Sequence, residues 1–563
     1  MTGSNSTTAD LRIVYVSENA SLSFLDFLRH SLKQLVGNTP FTDGLPQGLA
    51  SEMERDQSAQ VDTNLKLSFE QRQSLYEYYT IQSSGILQLF SREEAQSLLS
   101  DDLLNPEPGS RREDLAAFDT ALAIGAQARA GNPTPGSHDA EWATGLFDRA
   151  RAVAFEKMLA NPSPALVRLF VLLAFYTVGT YRQIPAAIYL GIASKAAVIL
   201  GLHQPMSPKV VRQGGDHASR MRIWHSLCIL DVLSSSLLGR PCSAPRATRH
   251  DIMALPLNPS QPQFNAILLA AAILDDVCLS LNGPKLIDAP AAQELLARLR
   301  SWSQSLPSDL RKFTCQDTFA LSQSDALLIF GNVHVSSVYY FAVILVTRPF
   351  LVRHLMTGIR RRAGLTTRTT AEPEDATLAQ VCMASAIYMG QLCRVLANMR
   401  AHDDHHPLSL LSLFKAWAFG SGLIIGFSML ADEARPDLND AFQGVLMVLE
   451  VGSDSNPQSR LYAETLRAFG DTIRLYQRIS SLKLPHAAEP FIEQILVIDP
   501  GQQENVAWDT AMSPSVIMDY ANSMLVGGLQ PTGMNDNSPM DHDWANMGIQ
   551  FLEPFETGFG GFP

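Results

Sequence analysis

Apolar positions recur at helical spacing along most of the chain, and no stretch alternates apolar and polar residues as a β-strand does. Phe24, Leu25, Phe27, Leu28 and Leu32 form the first stripe, within residues 22–35, and the glycines and prolines of 37–48 end it. From residue 68 onward, helical patterns succeed one another. Ser163-Pro164 reads as an N-cap with proline at the first helical position, and Gly179 closes that helix. Pro185 opens the next, and Gly201 closes it. Two apolar helices joined by a short polar turn predict an αα-hairpin, the unit of helical arrays. A third helix over 218–238 is apolar almost all round, which marks it as buried, with Gly239-Arg240-Pro241 as its stop. Asp231 lies in its middle and therefore needs a partner, for which Arg240, Arg220 and Arg182 are the candidates. Further helices are predicted over 265–281, 291–306, 326–347, 376–397, 407–430, 438–451 and 459–481, with a basic loop carrying Arg360, Arg361 and Arg362 between 354 and 375. The fold class is thus all-α, a large array of antiparallel helix hairpins. Three regions follow: a linker over 1–65 with one amphipathic segment, a helical body over 66–483, and a tail over 484–563.

Composition sharpens this picture. Only 18% of the 563 residues are charged, so much of the chain should be buried. The apolar run 410–430 is long enough to span a bilayer but carries Lys415, three serines and three glycines, which favours a buried helix. The run 169–178 is too short to span. The six cysteines are scattered, beginning at Cys228, so they read as reduced thiols and cannot converge on a six-cysteine metal cluster. The net charge of −13 is lopsided: the tail holds eleven acids and no Lys or Arg after Lys483. That charge argues against direct phosphate binding by this chain.

Five elements follow one another over about seventy residues. The segment 189–203 reads Tyr-Leu-Gly-Ile-Ala-Ser-Lys-Ala-Ala-Val-Ile-Leu-Gly-Leu-His, and Arg220-Met-Arg222-Ile-Trp224-His225 comes after a polar gap. Asp231, the Gly239-Arg240-Pro241 turn, and Asp251-Ile252 with Leu255-Pro256 complete the series. In this order they resemble the fungal-specific transcription factor domain, also called the middle homology region, of fungal zinc-cluster transcription factors. The stretch 339–351 with Arg348-Pro349, and the stretch 15–25, are similar to further segments of that family. His225 stands where relatives often carry a second tryptophan, Met221 interrupts the arginine run, and Met253 replaces a usual acid. The large departure is the six-cysteine DNA-binding module, which in relatives lies upstream of residue 15. The resemblance implies a nuclear regulator of RNA polymerase II transcription, not an enzyme, controlling a metabolic or secondary-metabolite gene set. It would need no cofactor in this chain, with zinc only in a module outside it. Its partners would be DNA (through that module or a partner protein), coactivators, a small-molecule effector, and a second subunit in a homodimer or heterodimer, with no membrane.

Arg182, Arg220, Arg222, Trp224, Asp231 and Arg240 form either a structural ion-pair network that sets helix register or an effector pocket. In the tail, acids alternate with bulky apolar residues, and Trp544, Phe551 and Phe555 mark a candidate activation segment in an otherwise disordered stretch. His402-Asp403-Asp404-His405-His406 has metal-ligand chemistry, but contiguous residues converge poorly on one ion, and a solvated loop is the better reading. Asp275-Asp276 resembles one acid pair of a helical terpene synthase without the further acids that chemistry needs. An all-helical enzyme with a buried site and a helical scaffold without regulatory output stand as the rival readings.

Overall fold

The computed structural model describes residues 21–44, 65–100, 112–130, 138–158, 162–180, 182–204, 217–246, 261–282, 287–311, 323–362, 373–400, 411–431, 435–451, 453 and 456–488. Every regular element among them is helical. In chain order these are α1 (Ser21–Val36), α2 (Phe69–Gln82), α3 (Arg92–Ser100), α4 (Arg112–Ala130) and α5 (Asp139–Lys157). Next come α6 (Pro164–Gly179), α7 (Gln183–Ile199), α8 (His217–Leu238), α9 (Pro262–Leu281) and α10 (Ala289–Ser305). The last are α11 (Gln323–Arg362), α12 (Pro373–Arg400), α13 (Ser412–Ala431), α14 (Pro436–Glu450) and α15 (Pro457–Ala488). The array of helix hairpins expected from the sequence is what forms. Helices α4 and α5, α6 and α7, and α11 and α12 pack as neighbours in sequence and in space.

Local chemistry explains the ends. The Ser163 hydroxyl accepts the Leu166 N–H at 3.1 Å and starts α6, with Pro164 in the first turn. Ser68 with Gln71 and Ser91 with Glu94 form reciprocal capping boxes at α2 and α3. Helix α11 departs from expectation. The sequence predicts a helix ending at 347 and a loop carrying the arginine triplet, yet α11 runs through Pro349 to Arg362. A proline inside a helix costs about 3 kcal/mol. Val343, Ile344, Leu345, Val346, Phe350 and Leu351 on both sides of it are all buried, at roughly 1.5–3 kcal/mol each, so burial wins. The Thr347 hydroxyl also donates to the Val343 carbonyl at 2.7 Å.

One continuous apolar cluster runs from Phe24 in α1 to Ile479 in α15. The N-terminal helix therefore docks on the body: Phe24 and Phe27 meet Phe427 edge-on at 5.9 and 6.0 Å, and Phe41 stacks on Phe469 at 4.6 Å. Four described helices are long and apolar enough to cross a membrane by length and composition. In α13 and α11, 89% and 83% of the apolar window is buried inside the protein, against 56% and 50% in α9 and α12. Lys415, in the first turn of α13, is fully buried and donates to the Val451 carbonyl at 2.8 Å and the Ser459 hydroxyl at 2.6 Å. Its charge is thus met by the ends of α14 and α15.

Candidate functional site

Two of the elements that carry the family resemblance, the corner at 200–203 and the arginine-tryptophan start of α8, meet where α7 ends against α8. Gly201 has φ +64, its N–H bonds the Val198 carbonyl at 3.0 Å, and the Leu202 N–H reaches back to Ala197 at 2.9 Å. This is a Schellman cap, and it requires a left-handed residue that only glycine adopts cheaply. Leu202, just past the cap, is buried, and His203 lies 5.9 Å from the ring of the fully buried Trp224. Arg220 donates to the Leu200 carbonyl at 2.8 Å, satisfying a C-terminal carbonyl of α7 and opposing its dipole. Gly239 repeats the device at the end of α8, with φ +62 and the Arg240 N–H bonded to the Ser235 carbonyl at 3.0 Å.

Asp231 is fully buried, as a lone acid in an apolar helix should be. Its carboxylate accepts the backbone N–H of Ser243 at 3.0 Å and of Ala244 at 2.8 Å. It therefore latches the segment after the Gly-Arg-Pro turn onto α8. Of the arginines proposed to accompany it, Arg220 turns to Leu200, and Arg222 donates to Glu94 at 3.0 Å. Arg182 sits half-buried at the start of α7. Arg240 and Asp231 line one cavity of about 80 Å³. The cavity forms because helix ends converge there: those of α6 and α8, and the first turns of α7, α13 and α15. Leu190, Leu238, Leu413, Phe419 and Tyr462 supply apolar wall, and Ser234, Asp231, Arg240 and Gln458 supply polar groups. Pro241 and Ser243, also in its lining, are exposed and leave a way in.

Sequence reading missed Glu94, Arg168 and Gln458. Glu94 bridges Arg222 and Arg168, at 3.0 and 3.1 Å, and Arg168 also bonds the Ser219 hydroxyl at 3.1 Å. Burial pushes the Glu94 carboxyl up, but the Ser91 backbone N–H and the two guanidinium groups outweigh it and leave the pKa below the ordinary value. The capping-box spacing of Ser91 and Glu94 was the available signal. Gln458 carried none, because only the meeting of α15 with α8 and α13 makes its position special.

Other candidates resolve differently. Asp276 is clamped by Arg246 and by Arg298, the latter at 2.6 Å, so arginines occupy the place a metal would take in a terpene-synthase pair. The resemblance implies zinc only in a module outside this sequence; the described cysteines form no disulfide, and burial pushes the Cys382 thiol up to about 12, against thiolate formation. The histidine-rich run 402–406, the elements at 251–256, and the tail with Trp544, Phe551 and Phe555 lie outside the described residues.

No family model matches the chain. It is 25% identical over 339 residues to an uncharacterized transcriptional regulatory protein of Schizosaccharomyces pombe, covering 58% of this chain and 40% of that one. It is 24% identical over 336 residues to the thiamine repressible genes regulatory protein thi1 of the same yeast, again covering 58% and 40%. A transcription factor FBD3 of Fusarium pseudograminearum is 26% identical over 239 residues, 37% of this chain and 31% of the relative. The chain is thus similar to fungal transcriptional regulators at low identity, and spans two fifths or less of the length of these relatives.

Proposed function

We propose that this chain is the regulatory part of a fungal transcription regulator of the middle homology type, acting in the nucleus on RNA polymerase II genes of a metabolic set. The carrying observation is the likeness over 339 residues to a transcriptional regulatory protein. The glycine-capped corner of α7, locked by Arg220 and Trp224, supports the reading, because the motifs behind the resemblance hold each other in place. In this reading residues 1–65 lead into the helical body over 66–483, and residues 484–563 are an activation segment that engages coactivators. DNA is reached through a zinc-bearing module outside this sequence or through a partner, and the chain pairs with a copy of itself or a related subunit. The tail's eleven acids without a Lys or Arg keep Trp544, Phe551 and Phe555 open to a coactivator groove.

The test fuses the full chain to an unrelated DNA-binding domain upstream of a reporter. The parent should activate, and Trp544→Ala, Phe551→Ala and Phe555→Ala together should abolish activation, since buried aromatic anchors carry most of such binding energy. A silent parent, or a triple variant as active as the parent, refutes the activation reading. A fluorescent fusion excluded from the nucleus refutes the location.

A further inference from the structure

Four aromatic rings form a continuous row where α10, α11 and α12 lie side by side. Trp302 stacks on Tyr339 at 6.0 Å, Tyr339 meets Tyr340 edge-on at 5.6 Å, and Tyr340 lies 5.8 Å from Tyr388. The inner end is fixed: Trp302 is buried, and its Nε1–H donates to the Ala266 carbonyl at 3.2 Å. The outer end is open: Tyr388 is 52% exposed, and Val395, two turns further along the same side of α12, is 43% exposed. Tyr339 and Tyr340 are half-buried, whereas residues 341–351 of the same helix are all buried. The hydroxyls of Tyr339 and Tyr340 take no hydrogen bond within the described protein, and neither oxygen is sealed from solvent. Charge is missing from the row. Burial and the phenols of Tyr339 and Tyr388 push the Tyr340 hydroxyl up, and no charged side chain contributes. Arg298 of α10 and Arg394 of α12 are turned to Asp276 at 2.6 Å and Asp440 at 3.2 Å.

These features define the occupant. A charge set against this face would lose water without gaining a partner, so the occupant is uncharged. It brings acceptors for the phenolic O–H groups and apolar faces for the rings. A helix cannot supply those acceptors from its backbone, because its carbonyls are engaged within it. A second copy would likewise set phenols against phenols. A proline-rich segment in the polyproline II form has the required chemistry: no charge, no N–H at proline, and carbonyls free of internal hydrogen bonds. Its rise of about 3.1 Å per residue makes each ring-to-ring step close to two residues. We propose that the row from Trp302 to Tyr388 is a docking surface for an uncharged, proline-rich segment of a partner protein. Its prolyl rings pack on Tyr340 and Tyr388, and its carbonyls accept from the Tyr339 and Tyr340 hydroxyls. Such a surface would serve a scaffold as well as a regulator, so the inference stands apart from the transcriptional reading.

The probe is a fluorophore-labelled decaproline peptide, read by anisotropy against the full chain. A labelled Gly-Ser repeat of equal length, uncharged but without prolyl rings, is the control. Decaproline should bind saturably and roughly tenfold more tightly than the control, with an affinity that does not change between about 50 and about 500 mM salt. Tyr388→Ala removes an exposed ring that the fold does not need and should weaken binding roughly tenfold or more, as an aromatic interface anchor does. Tyr340→Phe keeps its ring but loses the donor and should weaken binding about fivefold, the worth of one hydrogen bond. Ile188→Ala, exposed on α7, should leave binding unchanged. No saturable binding, a control peptide that binds as well, or an affinity that neither tyrosine variant lowers overturns the proposal. A loss in Ile188→Ala does the same, because binding would then lie on another face. So does a dimer in sedimentation that Tyr388→Ala dissolves and decaproline does not, since the row would then be a contact between copies.

Discussion

Replacing Asp231 separates the latch from its surroundings. In Asp231→Ala the Ser243 and Ala244 N–H groups lose a fully buried anionic acceptor at 3.0 and 2.8 Å. Hydrogen bonds to a charged group contribute about 1.5–3 kcal/mol each, so the two together are worth roughly 3–6 kcal/mol. Against this, the variant no longer keeps a carboxylate out of water, a relief of a few kcal/mol in real proteins. The net expectation is a loss of ~2–4 kcal/mol. Asp231→Asn has the same shape but keeps an acceptor for only one N–H and turns a donor toward the other, so it should recover at most part of the loss. Equilibrium denaturation of the full chain measures the global term. Hydrogen exchange in a peptide covering residues 241–246 measures the local one. A latch weakened by about 2 kcal/mol should exchange roughly thirtyfold faster there, while peptides in α4 and α5 stay as protected as in the parent. Unchanged exchange at 243–244, with stability within ~0.5 kcal/mol of the parent, would refute the latch.

Two glycines should respond with opposite signs. A Cβ on Gly125 in α4 would lie 1.8 Å from the Leu75 carbonyl oxygen of α2, so Gly125→Ala must push two helix backbones apart and should cost roughly 1–3 kcal/mol in a denaturant titration. Gly191 in α7 has nothing within 4 Å of that position, so Gly191→Ala should stabilise by about 1 kcal/mol through helix propensity alone. For pH, burial pushes the His334 imidazole down from 6.5 to about 4, with the Ser84 carbonyl partly opposing, and burial does the same to His225. The folded state holds both neutral, so their contribution is complete above pH 6.5 and is lost as pH falls toward 4, by up to about 1.4 kcal/mol per unit for each histidine. His334→Leu should flatten that slope relative to the parent in denaturation series across this window, and an unaltered slope refutes the assignment.

What the sequence determined by itself is local. Helix periodicity, the Ser163-Pro164 start and the stops at Gly201 and Gly239 were legible, because helical hydrogen bonds and left-handed caps join residues a few positions apart. The burial of Asp231 was legible from the apolar helix around it. Two of its partners were not: Ser243 and Ala244 are twelve and thirteen residues away, and only the return of the chain over α8 brings their N–H groups to the carboxylate. Helix α11 shows the same division, since the local rule stops a helix at Pro349 and the core on both sides overrides it. The cavity belongs wholly to the tertiary structure. Its walls run from Val178 to Tyr462, and they enclose one void only because separate helices end there. Packing of distant helix ends leaves no period or spacing in the chain, so the place of Gln458 in the cavity wall belongs to the tertiary structure alone.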